Sequence, residues 1–201
     1  NALQVKATDS AGAQSNVITA NVAQDNAPPT IILEGADPQT IEAGTSYAEL
    51  GAAAYDTRDG NVTALLSINS SSVNTNAVGS YSVIYSVSDA AGNSASKTRT
   101  INVVDTTHPV ITRSGSATVT VEKGSTYTDA GATASDSFAG NLTANIVVTN
   151  PVNANVVGTY TVRYNVSDPS GNAATEVTRT VNVVDTTPPA TPVVDAPTSP
   201  V

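Results

Sequence analysis

The sequence predicts an all-β protein made of tandem β-sandwich modules, and three observations carry that prediction. Thr and Val, which favour strands, dominate together with Ser, Ala and the turn former Asn. No long stretch has helical periodicity, whereas Tyr81–Ser88 alternates strictly, with Tyr81, Val83, Tyr85 and Val87 on one face. Above all, the chain repeats. Asp25, Asp105 and Asp185 lie 80 residues apart, each opening a proline-containing linker. Glu42, Tyr47, Gly51, Asp56 and Gly60-Asn61 recur at the same spacing as Glu122, Tyr127, Gly131, Asp136 and Gly140-Asn141.

Each module divides into strands in order. Thr30–Leu33 opens the first, and Gln39–Glu42 continues it beyond Pro38. Ala43-Gly44-Thr45 turns the chain, Tyr47–Tyr55 returns, and Asp56–Asn61 forms a polar loop. Val62–Ile68 reads as a third long strand, with further pairing through Val73. Tyr81–Ser88 presents its apolar face to the core, Asp89–Asn93 makes a hairpin turn, and Lys97–Val104 closes the sheet. Between Gly79 and Asn93 the spacing to the second copy is 79, so one-residue length changes fall near residues 72–77 and 94–97, where loops are expected. About seven short strands per repeat suit an immunoglobulin-like sandwich. The expected organisation is 1–24 as the last hairpin of a preceding module, 25–104 and 105–184 as two repeats set end to end, and 185–201 as a linker and the start of another. Asp9 and Gly12 stand 80 residues before Asp89 and Gly92, which supports the first assignment. Tyr81 and Tyr160 are placed to form tyrosine corners, the ring in the core and the hydroxyl on the preceding loop.

Composition narrows the function classes. The 201 residues contain no Cys, Met or Trp, which excludes disulfides, thiolate metal sites and a cysteine nucleophile. Acids outnumber bases 17 to 8, for a formal charge of −9, so nucleic acid and anionic membrane surfaces are poor partners and divalent cations good ones. No apolar run reaches the roughly 18 residues of a spanning helix, and membrane insertion is not expected. No signal peptide is visible, and both ends read as boundaries within a longer chain.

The pattern Gly-x-Tyr-x-Val-x-Tyr-x-Val-x-Asp-x-x-Gly-Asn, at Gly79–Asn93 and Gly158–Asn172, precedes the linkers Asp-Thr-Thr-x-Pro at Asp105 and Asp185. It resembles the bacterial immunoglobulin-like repeats of surface adhesins and secreted proteins, and is similar to hyalin-type and, more distantly, cadherin repeats. The resemblance implies spacer modules on a bacterial cell surface or in a secreted protein. Neighbouring repeats would be the partners, and a homotypic or surface ligand a further one.

Catalysis is not expected. His108, the sole histidine, lies in a linker where the other linkers have Pro28 and Pro188, and no hydrolase or phosphate-loop motif occurs. The sharper candidate is calcium, which takes 6–8 oxygen ligands. In a sandwich of this connectivity the first strand, the loop after the second and the last hairpin share one pole. That gathers Asp25, Asp56, Asp59, Asn61, Asp89 and Asn93 in the first repeat, and Asp105, Asp136, Asn141, Asp168 and Asn172 in the second. The opposite pole brings Glu42 towards Asp105 and Glu122 towards Asp185. The likeness to cadherins implies that a glutamate, a linker acid and acids of the next module share ions, although cadherin linkers carry more acids than Asp-Thr-Thr-x-Pro. Asp59 has Ala139 as its counterpart. The competing reading makes the same residues turn formers only. Two further functions stand beside the spacer: a glycan- or protein-binding module, for which Phe138 in the polar loop is the one candidate aromatic, and a filament-assembly module pairing through the edge strands of residues 1–24.

Overall fold

The computed structural model describes residues 2–21 and 24–192. The chain forms two compact units, residues 1–104 and 105–201. Among the described residues, sixteen strands account for the regular structure apart from two short 3-10 turns. The expected all-β class is what forms.

A hairpin of β1 (Ala2–Val5) and β2 (Ile18–Asn21) comes first. Its tip bridges Thr8 to Gln14, and the Asp9 carboxylate accepts the N–H groups of Ala11 and Ala13. Of the expected following module, residues 193–201 lie outside the described residues.

The first repeat contains β3 (Thr30–Leu33), β4 (Gln39–Glu42), β5 (Ala52–Asp56), β6 (Gly60–Asn61), β7 (Ser67–Asn69), β8 (Gly79–Ser88) and β9 (Ser94–Val104). One sheet has the order β3-β5-β6 and the other β4-β9-β8-β7. β4 pairs with β9 in parallel, from Gln39↔Ile101 to Glu42↔Val104, because the opening segment crosses from one sheet to the other. The second repeat duplicates this plan: β10 (Val110–Arg113), β12 (Ala132–Asp136) and β13 (Gly140–Asn141) in one sheet, and β11 (Thr118–Glu122), β16 (Val177–Val184), β15 (Gly158–Asn165) and β14 (Val147–Thr149) in the other. The period of two along β8 buries Val83, Tyr85 and Val87 while Ile84 faces solvent. Ile101 and Val103 of the neighbouring β9 and Ile31 and Ala54 of the other sheet are buried with them, and Ile111, Ala134, Val162, Tyr164 and Val181 form the second core. Each fully buried aliphatic side chain contributes about 1.5–3 kcal/mol. Both tyrosine corners form: Tyr81 Oη donates to the Ala77 carbonyl at 2.9 Å and Tyr160 Oη to that of Val156 at 3.0 Å.

Three elements differ from the sequence expectation. The third strand is not long, since Thr63–Leu65 is a 3-10 turn and only Ser67–Asn69 is extended. Thr63 causes this: its N–H is taken by Asn61 Oδ1, and its Oγ1 both accepts the Ala54 N–H and donates to the Ala54 carbonyl. These local bonds displace a ladder. Asn141 and Thr143 do the same for Ala134, so Asn-x-Thr recurs here as a turn-building pair. The returning strand starts at Ala52 and not at Tyr47, because the chain bends at Gly51 (φ +83°) to aim Glu49 inward. The length change expected in a loop near 94–97 lies instead in the last strand. β9 runs unbroken from Ser94, whereas after the bridge Ser167↔Ala173 the second copy resumes only at Val177.

The same period that buries Ile101 and Val103 also turns Arg99 inward, and its side chain is wholly buried. The guanidinium bonds Glu49 Oε1 at 3.1 Å and the carbonyls of Gly51 (3.0 Å) and Glu34, and lies 5.4 Å from the centre of the Tyr85 ring. Tyr85 and Tyr47 both donate their hydroxyls to Glu49. In the second repeat Arg179, Asp129, Tyr127 and Tyr164 build the same cluster, with Arg179 on Asp129 and on the carbonyls of Ser114, Ser116 and Gly131. Burial pushes the Glu49 and Asp129 carboxyls up. The tyrosine hydroxyls and the arginine outweigh it and leave both below the ordinary carboxylate range. Burial and the neighbouring carboxylate hold the Tyr47, Tyr85 and Tyr164 hydroxyls well above 10.0.

These shifts set a two-sided pH dependence. A carboxylate held below its unfolded value stabilises the fold at higher pH, and this is lost as pH falls through the folded value. A tyrosine held above its unfolded value keeps its proton while the unfolded chain ionises, so its contribution is complete below about pH 10 and declines above it. Denaturant midpoints measured across the pH range should therefore be level near neutrality, falling below about pH 4 and again above about pH 10. A midpoint that stays level to pH 11 would show that the hydroxyls do not anchor the cluster.

Candidate functional site

The turn from Asp89 to Asn93 is built by its own side chains. The Asp89 N–H bonds the Asn93 carbonyl, and Gly92, at φ +90°, supplies the left-handed residue that the reversal requires. Both Asp89 oxygens are engaged by Asn93, Oδ1 by its N–H (2.8 Å) and Oδ2 by Nδ2 (2.7 Å). Asn93 Nδ2 also reaches the carbonyl of Asp25 at 3.3 Å, tying the hairpin to the linker. Asp168, Asn172 and Asp105 repeat the arrangement, with Asn172 Nδ2 on the Asp105 carbonyl at 3.0 Å.

The neighbouring turn after β5 is capped by Asp56, which is 7% exposed. Its Oδ1 accepts the N–H groups of Arg58 (2.7 Å) and Asp59 (2.9 Å), and these bonds hold its carboxyl below the usual range. Asp59 Oδ2 in turn accepts the Ala90 N–H at 2.8 Å. Asp25, Asp56, Asp59, Asp89 and Asn93 thus meet at one pole, and Asp25, Asp56 and Asp59 each bring one carboxylate oxygen within 4.8 Å of the others. In the second repeat Asp105, Asp136 and Asp168 come equally close, with Asp168, the counterpart of Asp89, taking the place that Asp59 has in the first. Asp136 caps its turn through Phe138 and Ala139, whose N–H groups both lie 2.8 Å from Oδ1.

The two poles differ in their remaining oxygens. Asp105 Oδ2 accepts from Ser170 Oγ at 3.0 Å, and Thr107 Oγ1 shares its one proton between Asp105 Oδ1 (2.8 Å) and Asp136 Oδ2 (3.1 Å). In the first repeat the corresponding residues are Ala91 and Ala27. There the Oδ2 atoms of Asp25 and Asp56 are buried with no hydrogen-bond partner.

At the other end of the second repeat, Glu122 meets the linker that follows. Its carboxylate accepts from the Thr186 N–H and Oγ1, both at 2.8 Å, and from Thr187 Oγ1. These bonds lower its pKa. Asp185 accepts from Thr187 Oγ1 and pairs with Lys123 at 3.3 Å. Glu42 ends β4, where its carbonyl accepts from Thr45 Oγ1 at 2.6 Å. His108 places Nδ1 2.9 Å from the Ala173 carbonyl, and Phe138 is half-buried. Tyr55 stands on the outer face of its strand, 48% exposed. Sequence reasoning missed Thr107, Ser170, Ala27 and Ala91. Only a comparison of the two copies position by position signals them.

The profile of the family described as bacterial surface protein, Ig-like domain, matches residues 31–103 and again 111–183. The chain belongs to the bacterial surface protein Ig-like domain family. Both matches of this Ig-like domain span a seven-stranded repeat and its arginine cluster. Relatives include hyalin of Strongylocentrotus purpuratus, 42% identical over 56% of this chain and 10% of that protein. Hyalin of Lytechinus variegatus is 34% identical over 87% of this chain and 34% of that protein. The Ig-like chain thus spans about a tenth of the length of the first hyalin and about a third of the second. Among solved structures, a lipoprotein from Bacteroides thetaiotaomicron is 27% identical over 40% of each chain, with a TM-score of 0.36. No helix among the described residues is long and apolar enough to cross a membrane.

Proposed function

We propose that the two Ig-like repeats serve as load-bearing spacers in the extracellular part of a bacterial surface or secreted protein. The observation that carries this is the parallel pairing of β4 with β9, and of β11 with β16, in each repeat. Chain tension enters near the first of these strands and leaves from the second. Parallel neighbours pulled from opposite ends are loaded in shear, so their hydrogen bonds resist together and do not open one by one. The Ala43 N–H on the Val104 carbonyl and the Lys123 N–H on that of Val184, both 2.7 Å, extend the two ladders. Membership of a surface-protein family and duplication of the same closed sandwich support the reading.

Single-molecule pulling of the full chain tests it. Two separate unfolding events are expected, each releasing on the order of 200–250 Å of contour length from a repeat of about 75 residues. Ala43→Pro deletes an N–H from the first ladder and should lower the force of one event only. Unfolding at uniformly low force, or a proline variant without effect, would refute a load-bearing role.

A further inference from the structure

We propose that the pole of the first repeat is a divalent-cation site, taking calcium between Asp25, Asp56 and Asp59, and that the second repeat replaces the ion by hydroxyl groups. Three differences between the copies point the same way. The Oδ2 atoms of Asp25 and Asp56 are buried without a donor, although Asp56 is more than nine-tenths buried and fixed in place by two backbone N–H groups. Burying a carboxylate oxygen without a partner is costly, and gathering like charges adds to the cost. At the equivalent oxygens of Asp105 and Asp136 the donors are Ser170 and Thr107. The first repeat has alanine at both donor positions, Ala91 and Ala27, and carries a third carboxylate, Asp59, where the second has Ala139. One copy thus lacks two neutral donors and takes its third carboxylate from Asp59, whereas the other takes it from Asp168, whose two oxygens are both bonded to Asn172. The other satisfies the same oxygens with no ion.

The donor set is all oxygen and carries three negative charges, which selects a hard cation. A hollow of about 280 Å³ lined by Asp25, Arg58, Asp59, Ala90 and Ala91 adjoins the carboxylates. It leaves room for the waters that would complete six to eight ligands around calcium at ~2.3–2.6 Å. Asp89 lies outside this group, and both of its oxygens are engaged by Asn93. Arg58 is the cationic residue lining the hollow, and its positive charge disfavours a second cation there. The ion would bind there whether or not the repeats bear load.

Calorimetric titration of the full chain with calcium chloride, paired with melts in calcium and in chelator, tests the assignment. One ion per chain is expected, with a dissociation constant on the order of 10⁻⁴–10⁻³ M. Asp59→Ala installs the residue of the second repeat and should weaken binding at least tenfold while the circular dichroism spectrum is unchanged. Ala27→Thr with Ala91→Ser should weaken binding as much and raise the melting temperature in chelator, because the hydroxyls then cap the orphan oxygens. Arg58→Ala should tighten binding. Two ions per chain, no saturation below about 10 mM, or an affinity indifferent to both the Asp59 and the double variant would overturn the proposal.

Discussion

Arg179→Ala is expected to destabilise the second repeat by about 3 kcal/mol, the lower end of the range for breaking a buried ion pair, because Asp129 retains some contact with water. The side chain is 1% exposed, and it spans the sandwich between Asp129 and the carbonyls of Ser114, Ser116 and Gly131. Truncation strands these acceptors and opens a void against Tyr164. A module of about 80 residues has only roughly 4–12 kcal/mol in total. At about 4–8 °C per kcal/mol, its melting transition should fall by more than ~10 °C. Arg179→Ala combined with Asp129→Ala should cost less than the two single losses together, since removing both charges leaves neither alone in the core. Strict additivity in thermal or urea melts would mean that the two residues do not act as a pair.

Tyr164→Ala is the second large effect, about 3–5 kcal/mol for loss of a fully buried aromatic ring. Tyr164→Phe separates the ring from the hydroxyl. It keeps the packing and removes one donor to Asp129, which still receives Tyr127, Arg179 and the Gly131 N–H. The expected loss is about 1 kcal/mol, together with a weaker decline of stability above pH 10, since one shifted phenol is gone. If phenylalanine proved as damaging as alanine in urea melts, the hydroxyl network and not the ring would dominate this part of the core.

Much of the architecture was legible because strand alternation and exact recurrence are local signals. The strand around Tyr81–Ser88, the turn at Asp89–Asn93 and the split opening strand at Thr30–Leu33 and Gln39–Glu42 form where the pattern places them. Errors arose where a side chain competes with the backbone. Thr63 turns what reads as strand into a 3-10 turn, and Glu49 draws residues 47–51 off the sheet to reach Arg99. Nothing local marks Arg99 or Arg179 as buried, because the carboxylate and carbonyls that make their burial tolerable are distant in the chain.

The sequence by itself determined the β class, the repeat length, the apolar face of the Tyr81–Ser88 strand and the grouping of Asp25, Asp56, Asp59, Asp89 and Asn93 at one pole. Period, spacing and turn chemistry are properties of neighbouring residues. Tertiary structure alone decided which oxygens at that pole have donors. Ala27, Asp56 and Ala91 are far apart in the chain, and whether a carboxylate oxygen finds a hydroxyl depends on what folding sets within 3 Å of it, as Thr107 and Ser170 are set in the second repeat.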